Sequence, residues 1–219
     1  MSSSHGVPQF DAPQLIALMN VFILNTGRCG STSIIEACRH IDNYSAGHET
    51  RSGQLGAERM AFPDNHIEAD NRLSWLLGRL DREYGDNALY VHLTRSPEKV
   101  SQSHIYRFSH GIMRAYSRGI LRGLDENADA FAVGMDYCDT VTTNIKLFLR
   151  DKTHKMDFQL EEADRDFRRF WEFVGAEGDL EAALETLRTP HNSTRKNKRY
   201  RKYSGNWWLQ RMGRLPQDR

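Results

Sequence analysis

Apolar and polar residues fall along this chain in blocks whose spacing separates strands from helices. Val21-Phe22-Ile23-Leu24 is an uncharged run and reads as a strand covered on both faces. Small and hydroxyl residues follow, from Thr26 to Ser33, with Gly27 and Gly30 among them; Ile34, Ile35 and Cys38 then begin a helical face. Residues 71–83 carry Leu73, Leu76, Leu77 and Leu80 at the i, i+3, i+4, i+7 spacing of an amphipathic helix, which Gly85-Asp86-Asn87 ends. Residues 89–94 predict a second buried strand. Residues 99–121 predict a helix with an interruption at His110-Gly111. A further helix is expected over 137–150, with Val141, Ile145 and Phe148 on one side. Residues 156–160 predict a third strand, and 162–174 a helix whose core face is Phe167, Phe170, Trp171 and Val174, with Gly175 just past its end. Leu180, Ala183, Leu184 and Leu187 mark a last short helix. The stretch 40–54, containing Asn43, Gly47 and Gly53, reads as an irregular loop.

Strands separated by helical segments predict an α/β fold, a parallel sheet with helices on its faces. A chain of 219 residues with 39% hydrophobic and 27% charged residues can bury a core in a single domain. Neither a repeat nor a shift in composition divides residues 1–219. The polar segment 1–14 reads as a loose leader without the pattern of a signal peptide, and no apolar run is long enough to span a bilayer. Three cysteines, Cys29, Cys38 and Cys138, form neither a zinc pattern nor an even disulfide set, so a reducing, cytoplasmic setting is expected.

The segment 21–38 has the layout of a phosphate loop. A strand feeding a tight turn aims the free N–H groups of the next helix at one point, where the helix dipole favours an anion. Gly27 and Gly30 permit close backbone approach, Arg28 adds a charged fork, and Ser31, Thr32 and Ser33 add hydroxyls. No lysine follows Gly30, so the loop is not a Walker A motif and its magnesium-triphosphate chemistry is not implied. A second motif, Thr94-Arg95-Ser96-Pro97 through Ser103, follows the second strand. Ser96 and Pro97 suit the start of a helix, while Arg95 and Ser103 can converge on one phosphate.

Together these motifs resemble those of the sulfotransferases that use 3′-phosphoadenosine 5′-phosphosulfate (PAPS), in particular the soluble bacterial type. In that family a basic residue, a small residue, Gly and a Ser/Thr pair form the 5′-phosphosulfate loop, matched here by Arg28-Cys29-Gly30-Ser31-Thr32. The 3′-phosphate is held by an Arg at a strand end, with Pro two residues on and Ser eight residues on, matched by Arg95, Pro97 and Ser103. The resemblance implies a three-layer sandwich with a central parallel sheet, the P-loop NTPase-like sulfotransferase fold. It also implies transfer of a sulfuryl group from PAPS to a hydroxyl or amine of a small-molecule, lipid or carbohydrate acceptor. Thr26, Gly27, Arg28, Cys29, Gly30, Ser31, Thr32, Ser33, Arg95 and Ser103 would bind the nucleotide, leaving adenosine 3′,5′-bisphosphate (PAP), with no metal required.

The family's base is His or Glu, supplied between the two motifs. Here His48-Glu49 and His66-Ile67-Glu68 both qualify, so His48, Glu49 and Glu68 stand beside Arg28 as catalytic candidates, with His66 a fourth possible base. The tail 190–219 is basic. Arg195, Lys196, Lys198, Arg199, Arg201 and Lys202 are interleaved with Tyr200 and Tyr203, and Trp207-Trp208 follows. That tail could close over a phosphate or bind nucleic acid through stacked rings, although the net charge of +1 argues against a nucleic-acid protein. A nucleotide kinase or NTPase with a degenerate loop is the competing enzyme reading.

Overall fold

A computed structural model of the chain describes residues 19–125 and 127–189. The leader 1–14 and the basic tail 190–219 lie outside the described residues. The centre is a five-stranded sheet, every pair parallel: β1 (Asn20–Leu24), β2 (Ser45–His48), β3 (His66–Ala69), β4 (Ala88–Thr94) and β5 (Lys155–Gln159), in the order β2-β3-β1-β4-β5. Strand β1 is in the middle, and the four apolar residues Val21 to Leu24 are at most 1% exposed, which explains their unbroken apolar run. The edge strand β5 instead alternates, with Met156 and Phe158 inward and Lys155, Asp157 and Gln159 outward.

Helices flank the sheet: α1 (Ser31–Cys38), α2 (Leu77–Tyr84), α3 (Pro97–Ile105), α4 (Gly111–Ala115), α5 (Ala130–Leu149), α6 (Ala163–Phe173) and α7 (Leu180–Arg188). Helix α1 packs on α7, α6 on α7 and β5, and α3 on α5. The aromatic face of α6 is core, as its spacing predicts, and Gly175 ends it in the left-handed region at φ 59°. Helix α3 begins with Ser96 as N-cap, its hydroxyl accepting from the Lys99 N–H at 3.4 Å, and with Pro97 in the first turn.

Three sequence expectations need correction. Two strands were missed, because β2 lies inside the stretch read as irregular and β3 is only four residues long with two of them polar. The single helix expected over 71–83 divides into a 3-10 turn at Leu73–Trp75 and α2. The helix over 99–121 has the interruption expected at His110-Gly111, but a wider one: it ends at Ile105, resumes at Gly111 and finishes in a π turn, Tyr116–Ile120.

The strand register prepares the site. His48 pairs with Ala69, Ala69 with Ile23, and Leu24 with His92, so the segments after β1, β2, β3 and β4 leave the sheet along one edge. The chain leaves β1 for the β2 edge, returns through β3, and then crosses to β4 on the other side. Ligand crevices of open parallel sheets form outside the strand ends at such a reversal.

Candidate functional site

The loop between β1 and α1 is held from below by its own first residue. Asn25 is 1% exposed; its Oδ1 accepts from the Gly27 N–H at 2.7 Å and its Nδ2 donates to the Ile23 carbonyl at 3.0 Å. Ser74 straps Asn25 from the side, accepting from its N–H at 3.2 Å and donating to its carbonyl at 3.0 Å. Three loop residues are left-handed: Gly27 (φ 75°), Arg28 (φ 60°) and Gly30 (φ 84°). For arginine that conformation is costly, and such strain collects at functional loops. A Cβ on Gly30 would lie 2.6 Å from Leu160 Cδ1, so this position suits glycine on both counts. Gly30 is also the N-cap of α1 and offers no side-chain cap, which leaves the first-turn N–H groups of α1 without a side-chain acceptor at the N-cap.

The two motifs meet. Arg28 Nε donates to Ser103 Oγ at 2.9 Å, and Arg95 Nη1 donates to the Arg28 carbonyl at 3.0 Å. Ser31 and Thr32, at the start of α1, face His48 at the end of β2: Ser31 Oγ is 3.0 Å and Thr32 Oγ1 3.5 Å from His48 Nε2. A cleft of about 460 Å³ opens here, lined by Gly27, Arg28, Ser31, Thr32, His48 and Glu49 together with Asn71, Arg72, His104, Arg107, His110 and residues 111–113.

Other expected residues lie beneath the cleft. Thr26 is 6% exposed and presents its carbonyl to His104 Nε2 at 3.3 Å. Ser33 is buried within α1. The Cys29 thiol turns inward, 3.0 Å from Thr26 Oγ1 and donating to the Gly27 carbonyl at 3.2 Å; burial pushes it above the usual thiol range despite the Thr26 contacts.

Glu68, one of the expected catalytic candidates, does not line the cleft. It is fully buried, accepting from the Thr50 N–H at 2.8 Å, the Thr50 hydroxyl at 2.7 Å and His66 Nε2 at 3.0 Å. Burial opposes its charge, but the bonds from His66 and Thr50 outweigh that and hold it below the usual carboxylate range. His66, its partner there, has Ser45 Oγ 2.7 Å from its Nδ1.

Sequence reasoning missed Asn71, Arg72, His104, Arg107 and His110. Asn71 and Arg72 follow β3, which had not been read as a strand. His104 is adjacent to Ser103 on α3, which was the available signal for it, while Arg107 lies in the turn after α3, its N–H donating to the His104 carbonyl at 2.8 Å. Burial pushes the His104 imidazole down to about 4, helped by the Arg28 and Arg107 charges and opposed by the Thr26 carbonyl. A neutral imidazole whose N–H meets that carbonyl therefore supports the loop, with the Tyr137 ring 5.4 Å away edge-on.

No family model and no curated protein matches this sequence. Among solved structures, mouse sulfotransferase SULT7A1 complexed with PAP aligns over 92% of this chain and 80% of its own, with a TM-score of 0.50 and 10% identity. The chain has the sulfotransferase fold. Among the described residues no helix is long and apolar enough to cross a membrane.

Proposed function

We propose that this protein is a PAPS-dependent sulfotransferase. The observation that carries the reading is the convergence of Arg28, Ser103 and Arg95 beside the N-terminus of α1. Two guanidinium groups, a hydroxyl and a helix N-terminus suit a ligand with two separate phosphates. The fold neighbour bound to PAP supports the same ligand class. In this reading the Gly27 to Thr32 loop holds the 5′-phosphosulfate, while Arg95 and Ser103 take the 3′-phosphate.

Sulfuryl transfer needs charge stabilisation where the leaving phosphate develops and a base for the acceptor hydroxyl. Arg28 and the loop N–H groups supply the first. For the second, His48 is the best-placed group, since its Nε2 already meets the Ser31 and Thr32 hydroxyls. In the tautomer with a bare Nε2, the imidazole takes the acceptor's proton as the S–O bond to the acceptor forms and the bond to the leaving phosphate breaks. Glu49 is held by Arg72 at 2.8 Å and serves the cleft in another way.

Thermal melting with PAP, ADP and ATP, each with and without magnesium, tests the reading. A ligand at a hundredfold excess over its dissociation constant stabilises the native state by about 2.7 kcal/mol. Selective, magnesium-independent stabilisation by PAP is expected. Magnesium-dependent stabilisation by ATP in its place would refute the reading in favour of a nucleotide kinase.

A further inference from the structure

Glu49 follows β2 and Arg72 follows the neighbouring strand β3, and the two side chains form a fork in the cleft, Arg72 Nη1 lying 2.8 Å from Glu49 Oε2. Both are partly open to solvent, with side-chain exposures of 39% for Arg72 and 35% for Glu49. Glu49 holds a left-handed backbone at φ 55°, which an L residue adopts only against strain. Behind them lies Asp70, fully buried. It accepts from Arg59 Nη2 at 2.5 Å and from the Arg72 N–H at 2.8 Å, with Arg72 Nη1 3.8 Å away. Arg59 is itself only 4% exposed, and its other terminal nitrogen finds no hydrogen-bond partner among the described residues.

Four charges thus alternate from the interior to the cleft: Arg59, Asp70, Arg72, Glu49. A surface ion pair needs no such backing, and a buried one is a poor source of stability because desolvation consumes its attraction. The arrangement makes sense as a means of fixing where the fork stands. What it presents is a carboxylate that accepts hydrogen bonds beside a guanidinium that donates them, with Asn71 Oδ1 accepting from Arg72 Nη1 at 3.5 Å. Adjacent hydroxyls, each both donor and acceptor, match that set. No Phe, Tyr or Trp lines the cleft among the described residues, so a flat apolar acceptor would find only imidazole rings and the side chains of Ile112 and Met113.

We infer that the Glu49–Arg72 fork is the acceptor-binding element and selects a molecule with vicinal hydroxyls, a sugar or similar polyol, and that Asp70 is the positioning residue of the fork. This rests on the sulfotransferase reading. The test uses the full-length protein with saturating PAPS and compares sulfate transfer to a panel of free mono- and disaccharides with transfer to phenols and straight-chain alcohols. Sugars are expected to be the better acceptors. Glu49→Gln and Arg72→Gln should raise KM for the sugar by about tenfold or more with little change in kcat. Arg72→Lys, which keeps the charge but loses the fork, should fall between. Asp70→Asn should act in the same direction as Arg72→Gln, and its melting temperature separates misfolding from misplacement of the fork. PAP should still stabilise every variant that folds.

Preference for phenols or alcohols overturns the inference, as does a PAP-stabilised protein that sulfates no sugar. A Glu49→Gln variant that loses kcat at unchanged KM also overturns it, by making Glu49 the base. A wild-type protein that PAP does not stabilise refutes the nucleotide reading, and the acceptor inference falls with it.

Discussion

His104 supports the loop between β1 and α1 from a buried site that disfavours its charged form, which makes the loop's foundation sensitive to acid. The imidazole is 3% exposed, with its value lowered to about 4 in the folded chain against 6.5 for an ordinary histidine. Because the folded value is the lower one, the unfolded chain takes up the proton first as pH falls. The penalty is therefore negligible well above pH 6.5, grows between 6.5 and about 4, and stays constant below. Its full size is roughly 3 kcal/mol, of which about 2 kcal/mol is incurred between pH 7 and pH 5. For a chain of this length that corresponds to a drop of about 4–8 °C in melting temperature. Carboxylates also contribute to acid sensitivity, so the assay is a difference: urea or thermal unfolding at pH 7 and pH 5 for wild type and for His104→Gln. The glutamine amide can still donate to the Thr26 carbonyl but does not titrate. The variant should lose about 2 kcal/mol less than wild type across this interval. Equal losses in both proteins would show that His104 is not held neutral, and the account of the loop's support would be wrong.

Other consequences of the same geometry are open to measurement. Arg95→Ala should weaken PAP far more than AMP, by roughly 10- to 100-fold for the loss of a charge-assisted contact, and equal losses in titration calorimetry would remove the 3′-phosphate from Arg95. His48→Gln should cut turnover by about 10²- to 10⁴-fold while PAP-induced stabilisation survives, and near-normal turnover would exclude His48 as the base. Gly30→Ala should cost about 1–2 kcal/mol for a left-handed alanine and weaken PAP as well; an unchanged melting curve would contradict the loop conformation. Glu68→Ala should destabilise by about 3 kcal/mol or more, because Thr50 and His66 lose a buried acceptor, and its main effect should appear in unfolding rather than in nucleotide affinity.

What the amino-acid sequence determined by itself is the central part of the fold and the glycine-built turn that follows β1. Val21 to Leu24 are covered on both faces, so their pattern is unbroken and legible, and Gly27 and Gly30 advertise a loop that only left-handed residues can close. Arg95, Pro97 and Ser103 were legible for a similar reason, since a strand end and two turns of one helix set their separation. The tertiary structure alone decided the rest. Strands β2 and β3 are four residues each, too short for a period to show, and β3 hides two polar residues that satisfy each other's needs, His66 against Glu68. The different surroundings of His48, Glu49 and Glu68 were equally beyond the sequence. All are titratable groups between the same two motifs, and what separates them is which side of a four-residue strand each faces and what it meets there. Glu68 meets Thr50 and His66 in the interior, while His48 and Glu49 leave the end of β2 and meet the loop hydroxyls and Arg72. Local sequence specifies a residue's chemistry and the direction of its chain, but the partners that neutralise or expose that chemistry come from the neighbouring strands, and only the packed sheet brings those together.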